Sequence, residues 1–197
     1  MNRWLNLLIG FAFVNITACS STPPLRHYLL DVALPLEIPT NPAAHILQVS
    51  TPHAAPGFDT PAQVYMRSPF VLEHYTQSQW VDTPSRLLLP LIVRTIEASG
   101  LFAAVLSATT PQVAGEWRLD TEILRFQQEF LTKPSQVRLV FRVQLLNMVT
   151  SEVVATHIFE IIEPTPSEDA QGGMIATNQA VGQFLEALIK FLAEQVT

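Results

Sequence analysis

The chain is 197 residues long and 48% apolar, with a formal charge of −6 and a single cysteine. One cysteine excludes an intramolecular disulfide, the acidic balance disfavours nucleic-acid binding, and the length suits one domain with a full core.

Arg3 precedes an apolar stretch from Trp4 to Ile16, interrupted only by Asn6, Gly10 and Asn15, and Thr17-Ala18-Cys19 follows. That order is the basic region, apolar region and small-residue cleavage site of an export signal. An apolar run of about 13 residues falls short of the roughly 20 that a spanning helix needs. A cysteine directly after Ile16-Thr17-Ala18 resembles the bacterial lipobox, in which the thiol is acylated before cleavage. Residues 1–18 are therefore expected to be a lipoprotein signal peptide and Cys19 the lipid attachment site. Residues 19–26 form a lipidated tether, because Ser20-Ser21-Thr22-Pro23-Pro24 disfavours helix and sheet. Residues 27–197 are the folded domain. Removal of 1–18 takes away Arg3 and no acidic residue, which moves the formal charge from −6 to −7.

Along that domain, His27 to Leu34 reads as a first strand and His45 to Ser50 as a second, separated by the turn-rich Pro35 to Pro42. Thr51 to Pro61, with three prolines and Gly57, reads as a loop. Gln63 to Tyr75 reads as two extended pieces around a turn at Ser68-Pro69. A helix follows: Thr83 can cap it, Pro84 suits its first turn, Gly100 lies just past its end, and Leu88, Leu91, Ile92, Thr95, Ile96 and Ser99 recur at helical spacing. Pro90 removes one hydrogen bond and predicts a kink or a tightened first turn. Leu101 to Leu106 reads as a short strand.

Three longer alternating stretches come next. Trp117, Leu119, Thr121 and Ile123 share one face of the first. Val137, Leu139, Phe141, Val143 and Leu145 share one face of the second, opposite Arg138, Arg142 and Gln144. Val153, Ala155, His157, Phe159 and Ile161 form the inward set of the third. Turns at 132–135 and 147–152 predict an antiparallel meander. A helix from about Ile175 to Val196 closes the chain, with Val181, Phe184, Leu185, Leu188 and Leu192 on one side. The expected fold class is α+β, a single domain with a mixed, largely antiparallel sheet and two main helices packed on it.

No phosphate-binding loop, nucleophile elbow, H-E-x-x-H or cysteine pair occurs. The five histidines (His27, His45, His53, His74 and His157) are scattered and read as surface or satisfied core residues. Glu73-His74 could do acid–base work, but strand neighbours point to opposite faces. No catalytic residue and no metal site is expected, and the chain reads as a non-enzyme. The segment from Val64 to Pro84 differs in kind, since it concentrates Tyr65, Phe70, Tyr75 and Trp80 with Arg67. It reads either as a strand–turn–strand covering the sheet or as a partner or lipid contact, because aromatics and arginine are enriched at interface cores. Arg67, Phe70, Tyr75 and Trp80 are the candidate partner-binding residues, with Tyr75 and Trp80 expected to matter for stability and Arg67 or Phe70 for binding.

On these residues the chain resembles the ABC-type transport auxiliary lipoprotein family, which includes the lipoprotein of the paraquat-inducible system and auxiliary components of mammalian-cell-entry (MCE) lipid transporters. The matching positions are the lipobox Ile16 to Cys19, the opening Tyr28-Leu29-Leu30-Asp31, and Val64-Tyr65, Arg67 to Phe70, Leu72, Tyr75 and Trp80 to Pro84. They continue through Leu88 to Val93, Glu97 to Phe102 and Asn178 to Val181. The resemblance implies a periplasmic lipoprotein working beside an MCE-domain subunit, a permease and an ATPase that move phospholipid, sterol or similar apolar molecules; some members assemble as homo-oligomeric rings. It implies no cofactor beyond the covalent N-acyl and S-diacylglycerol lipid on Cys19. Ser20, where inner-membrane retention is associated with aspartate, points to the periplasmic face of the outer membrane. Two alternatives stand beside it: an outer-membrane docking factor that touches no lipid, and a free-standing lipid carrier, which needs a closed apolar pocket of several hundred cubic ångströms.

Overall fold

The computed structural model describes residues 24–33, 43–107 and 115–196. The expected signal segment, Cys19, most of the expected tether and the turn expected at Pro35 to Pro42 lie outside these residues. The described chain is one α+β domain with the order β1 (Arg26–Tyr28), β2 (Ala43–Val49), β3 (His53–Ala54), β4 (Ala62–Ser68), β5 (Val71–Trp80), α1 (Pro84–Ser99), β6 (Phe102–Ser107), β7 (Trp117–Glu129), β8 (Gln136–Asn147), β9 (Glu152–Pro164) and α2 (Ala170–Val196).

The sheet is organised by β7. One edge of β7 pairs antiparallel with β8 from Trp117↔Asn147 to Glu129↔Gln136, and β8 pairs antiparallel with β9. The other edge takes three parallel segments in succession: β2 at 117–119, β3 at 122–123 and β4 at 128–129. The sheet thus forks. β2 carries β6 in parallel at one end, and at the other β4 carries β5 antiparallel, which carries β1 in parallel. The sheet is mixed: the meander and the β4–β5 hairpin are antiparallel, while β1, β2, β3, β4 and β6 enter parallel ladders.

Apolar alternation explains which face the helices cover. Leu119 and Ile123 of β7, and Val137, Leu139, Phe141, Val143 and Leu145 of β8, are all buried. α2 lies on β8 and β9, with Phe184 stacked on Phe141 at 4.1 Å between centroids and Phe159 edge-on to Phe184 at 5.5 Å. Each such large apolar side chain contributes about 1.5–3 kcal/mol by leaving water. α1 covers β6 and β2 and touches α2. Its buried set includes Leu88, Leu91, Ile92, Thr95, Ile96 and Ser99, the expected stripe. Pro90 sits within the continuous helix, and the first turn is tightened by an Arg86 N–H to Thr83 carbonyl bond of 3.0 Å. Gly100 ends the helix in the left-handed region at φ 64°. Thr83 occupies the N-cap position, but its hydroxyl makes no capping bond.

Several expectations need correction. The first strand stops at Tyr28 rather than running to Leu34, because its partner β5 ends at Trp80 and turns into α1, leaving later residues no ladder. The expected loop at 51–61 contains β3, which bridges to Glu122 and Ile123. In β9 a register shift between Leu145/Leu146 sets Ala155 and Val153 against consecutive residues of β8, so Val153 leaves the inward set and is 54% exposed. His157 is also exposed, lying against Phe159 and Phe191 at the margin of α2. α2 begins at Ala170, five residues early. Asp169 explains this: its carboxylate accepts the Gly172 N–H at 2.7 Å and the Ser167 hydroxyl at 2.7 Å, a helix-starting bond that the Gly172-Gly173 pair obscures in the sequence.

A methyl group on Gly172 would collide with the backbone carbonyl of Ser167. Gly→Ala inside a helix ordinarily stabilises by about 1 kcal/mol. Gly172→Ala is expected to do the reverse and lower the melting temperature, as measured by circular dichroism.

Candidate functional site

The β4–β5 hairpin projects beyond the end of β7. Ser68 pairs with Val71, so Pro69 and Phe70 form a two-residue loop. Proline holds φ near −65° and Phe70 adopts φ 69°, the sign pattern of a type II turn, whose second central position suits glycine or asparagine. A bulky residue there costs about 1–2 kcal/mol. Phe70 is 99% exposed, so no packing inside the domain offsets that cost. Val71 and Leu72 beside it are exposed as well. Phe130 donates its N–H to the Met66 carbonyl at 2.8 Å, which brings the β7–β8 turn and its exposed Leu131 alongside.

An ion pair spans the base of the tip. Arg67 donates from Nε and a terminal nitrogen to both oxygens of Glu73, at 2.6 and 2.8 Å. The hydrogen bonds from Arg67, followed by its charge, hold the Glu73 carboxyl below the ordinary range, and the same contacts keep Arg67 charged. Arg67 also lies 5.4 Å from the Tyr65 ring centroid, and Tyr65 meets Tyr75 at 4.5 Å and Phe130 at 5.8 Å.

The four candidate residues separate by burial. Trp80 is a core residue, 4% exposed and edge-on to Phe126 at 5.7 Å, because it closes β5 where the sheet meets α2; it presents no surface to a partner. Tyr75 is partly buried, with its hydroxyl donating to Gln128 at 2.9 Å, and burial pushes its phenol well up. Arg67 and Phe70 face outward. The histidines remain apart: His45 meets Glu116 at 2.8 Å and His27 meets Gln79 at 2.8 Å, while Glu73, the neighbour of His74, is engaged by Arg67.

Two features were not read from the sequence. One is a trough of about 390 Å³ between β1, β5 and the start of α2, lined by Pro24, Arg26, Tyr28, Tyr75 and Asp169 among others. It opens to solvent and mixes polar with apolar lining, unlike the closed apolar chamber of a carrier. The other is a carboxylate on the sheet. Glu129 has a side chain only 5% exposed and accepts bonds from Gln127 at 2.8 Å, Gln136 at 3.3 Å and Arg138 at 3.0 Å; Arg138 also pairs with Glu160. The alternating pattern puts Arg138 on the polar face but gives no sign that a buried acid lies across from it.

The chain belongs to the ABC-type transport auxiliary lipoprotein component family, whose model matches residues 28–188. No curated protein matches the sequence. Among solved structures it is similar to a Xanthomonas campestris protein, with a TM-score of 0.76 at 24% identity over 85% of this chain and 95% of that one. It is also similar to an uncharacterized protein, with a TM-score of 0.67 at 12% identity over 86% and 99% of the two chains. A Chlamydia trachomatis hypothetical protein gives 0.50 at 8% identity, over 77% and 99%. Identities this low establish a common fold alone. The family is one of transport auxiliaries and lipoproteins rather than of enzymes.

Phe70→Gly is expected to raise stability by about 1 kcal/mol in chemical denaturation, since the strain is relieved and no packing is lost. Glu129 yields a pH dependence. Burial pushes its carboxyl up, but the bonds from Gln127, Arg138 and Gln136, with the charge of Arg138, outweigh burial and hold it below the ordinary 4.5. A depressed folded-state value stabilises the fold above the unfolded value and loses that contribution as pH falls through the folded one. Urea midpoints measured below pH 4.5 should therefore decline less steeply in Glu129→Gln than in the parent, on a lower plateau at pH 7 because Arg138 loses an anionic partner.

Proposed function

We propose that the protein is the lipid-anchored auxiliary subunit of an MCE-type ABC transport system, seated on the periplasmic face of the outer membrane. The observation that carries this reading is the family match over residues 28–188, joined to the lipobox Ile16 to Cys19 upstream of it. In this reading Cys19 bears the N-acyl and S-diacylglycerol lipid, and two or more chains of about 0.8 kcal/mol per methylene make attachment stable. The sequence lacks a phosphate-binding loop, so the ATPase is a separate chain, and a permease and an MCE-domain subunit complete the route for phospholipid, sterol or similar apolar cargo. Arg67 and Phe70 are the outward-facing residues of the hairpin, while Tyr75 and Trp80 fix it from inside.

The reading is tested by purifying the full lipoprotein from native membranes. An MCE-domain subunit, a permease and an ATPase should accompany it, with phospholipid or sterol in the extract; recovery without any transporter subunit argues for a docking factor or carrier instead. Cys19→Ala should leave the membrane pellet and stop incorporating labelled fatty acid. Persistence of both properties in that variant overturns the anchor.

A further inference from the structure

We propose that the tip of the β4–β5 hairpin, Phe70 with Val71 and Leu72, rests in the interfacial layer of the membrane to which Cys19 is attached. The proposal rests on the lipid anchor at Cys19 and names the occupant of the exposed tip.

The direction of β1 carries the argument. β1 runs parallel to β5, with Arg26 opposite Ser78 and Tyr28 opposite Trp80, so the chain upstream of Arg26 heads along β5 toward the hairpin tip. Pro24 already lines the same trough as Tyr75, Thr76 and Gln77. The five residues from Cys19 to Pro24 reach at most about 18 Å. From Thr76 back to Val71 along β5 is about 17 Å. The lipid on Cys19 and the hairpin tip can therefore occupy one level, and the tether keeps this end of the domain close to the bilayer.

The chemistry of the tip suits that level. Phe70 is 99% exposed, Val71 48%, Leu72 39% and Leu131, in the adjoining turn, 46%. Phe70 holds its position against an unfavourable φ of 69°, and Arg67 is neutralised by Glu73. The mature chain is acidic, so anionic headgroups do not attract it as a whole, and the contact is apolar and insensitive to salt. A second exposed apolar turn, Met148-Val149, comes after β8 at Asn147, opposite Trp117. It is separated from the tip by the length of β7, roughly 40 Å, so of the two turns the tip is the one held beside the anchored end of the chain.

The test uses full-length lipoprotein reconstituted in phosphatidylethanolamine–phosphatidylglycerol vesicles. Because Cys19 is the only cysteine and is consumed by the lipid, Phe70→Cys and Val149→Cys each present one thiol for an environment-sensitive fluorophore. The label at position 70 should shift to the blue, be quenched by nitroxide-bearing lipid and resist aqueous iodide several-fold better than the label at 149, at low and at high salt alike. Equal iodide access at the two positions, in a sample whose mass shows Cys19 acylated, overturns the tip proposal and leaves the anchor standing. Shielding of position 70 only when the MCE-domain subunit is added overturns it in favour of a protein partner. Absence of acylation at Cys19 overturns the anchor and, with it, the tip proposal.

Discussion

Strand β7 is the constraint on which the rest of the domain depends. Its Trp117–Glu129 span is paired along both edges, with β8 on one side and β2, β3 and β4 in succession on the other. Because three segments share one edge, they are held in line without being bonded to one another, and the branches they begin diverge. One branch carries β6 under α1; the other carries β5 and β1 and ends in the exposed hairpin. Rigidity at the hairpin base therefore derives from the centre of the sheet, through Tyr65↔Gln128 and Met66↔Glu129. The tip itself has few constraints beyond the Arg67–Glu73 pair.

Much of this architecture could be read from alternation and caps. The helix from Pro84 to Ser99 and strands β7 and β8 each carry a periodic apolar set, and burial of that set is what stabilises them, so pattern and structure coincide there. The reading failed where pairing, not burial, sets the boundary. β1 ends because β5 leaves it, and β3 exists only because two residues reach the free edge of β7. Neither event leaves a trace in local hydrophobicity. Val153 illustrates a third kind of failure: one register irregularity reverses the facing of the strand residues beyond it, and strict alternation cannot announce it.

The site shows the same division. Density of aromatics in Val64 to Trp80 singles out the hairpin, but density does not distinguish a side chain that fills the core from one that leaves it. Trp80 is drawn inward because β5 ends against Phe126, whereas Phe70 is forced outward by a two-residue turn. Ser68-Pro69 was the informative signal, since a proline entering a tight turn makes the next residue the apex. The bond from Tyr75 to Gln128 and the gathering of Gln127, Gln136 and Arg138 on Glu129 depend on strand register and are invisible in one dimension.

The shared edge of β7 also governs the order in which the domain can assemble. Leu47 pairs with Trp117, His53 with Glu122 and Tyr65 with Gln128, separations of roughly 60–70 residues along the chain. None of these ladders can close until β7 is present, so the N-terminal half emerges with several unsatisfied strand edges and waits. Contacts this distant in sequence slow folding, because loop-closure entropy must be overcome before any ladder rewards it. On the proposed export route the chain would cross its membrane unfolded, and the vulnerable interval would last until about residue 130 has emerged. The same strand that unifies the finished sheet makes its first half dependent on its second.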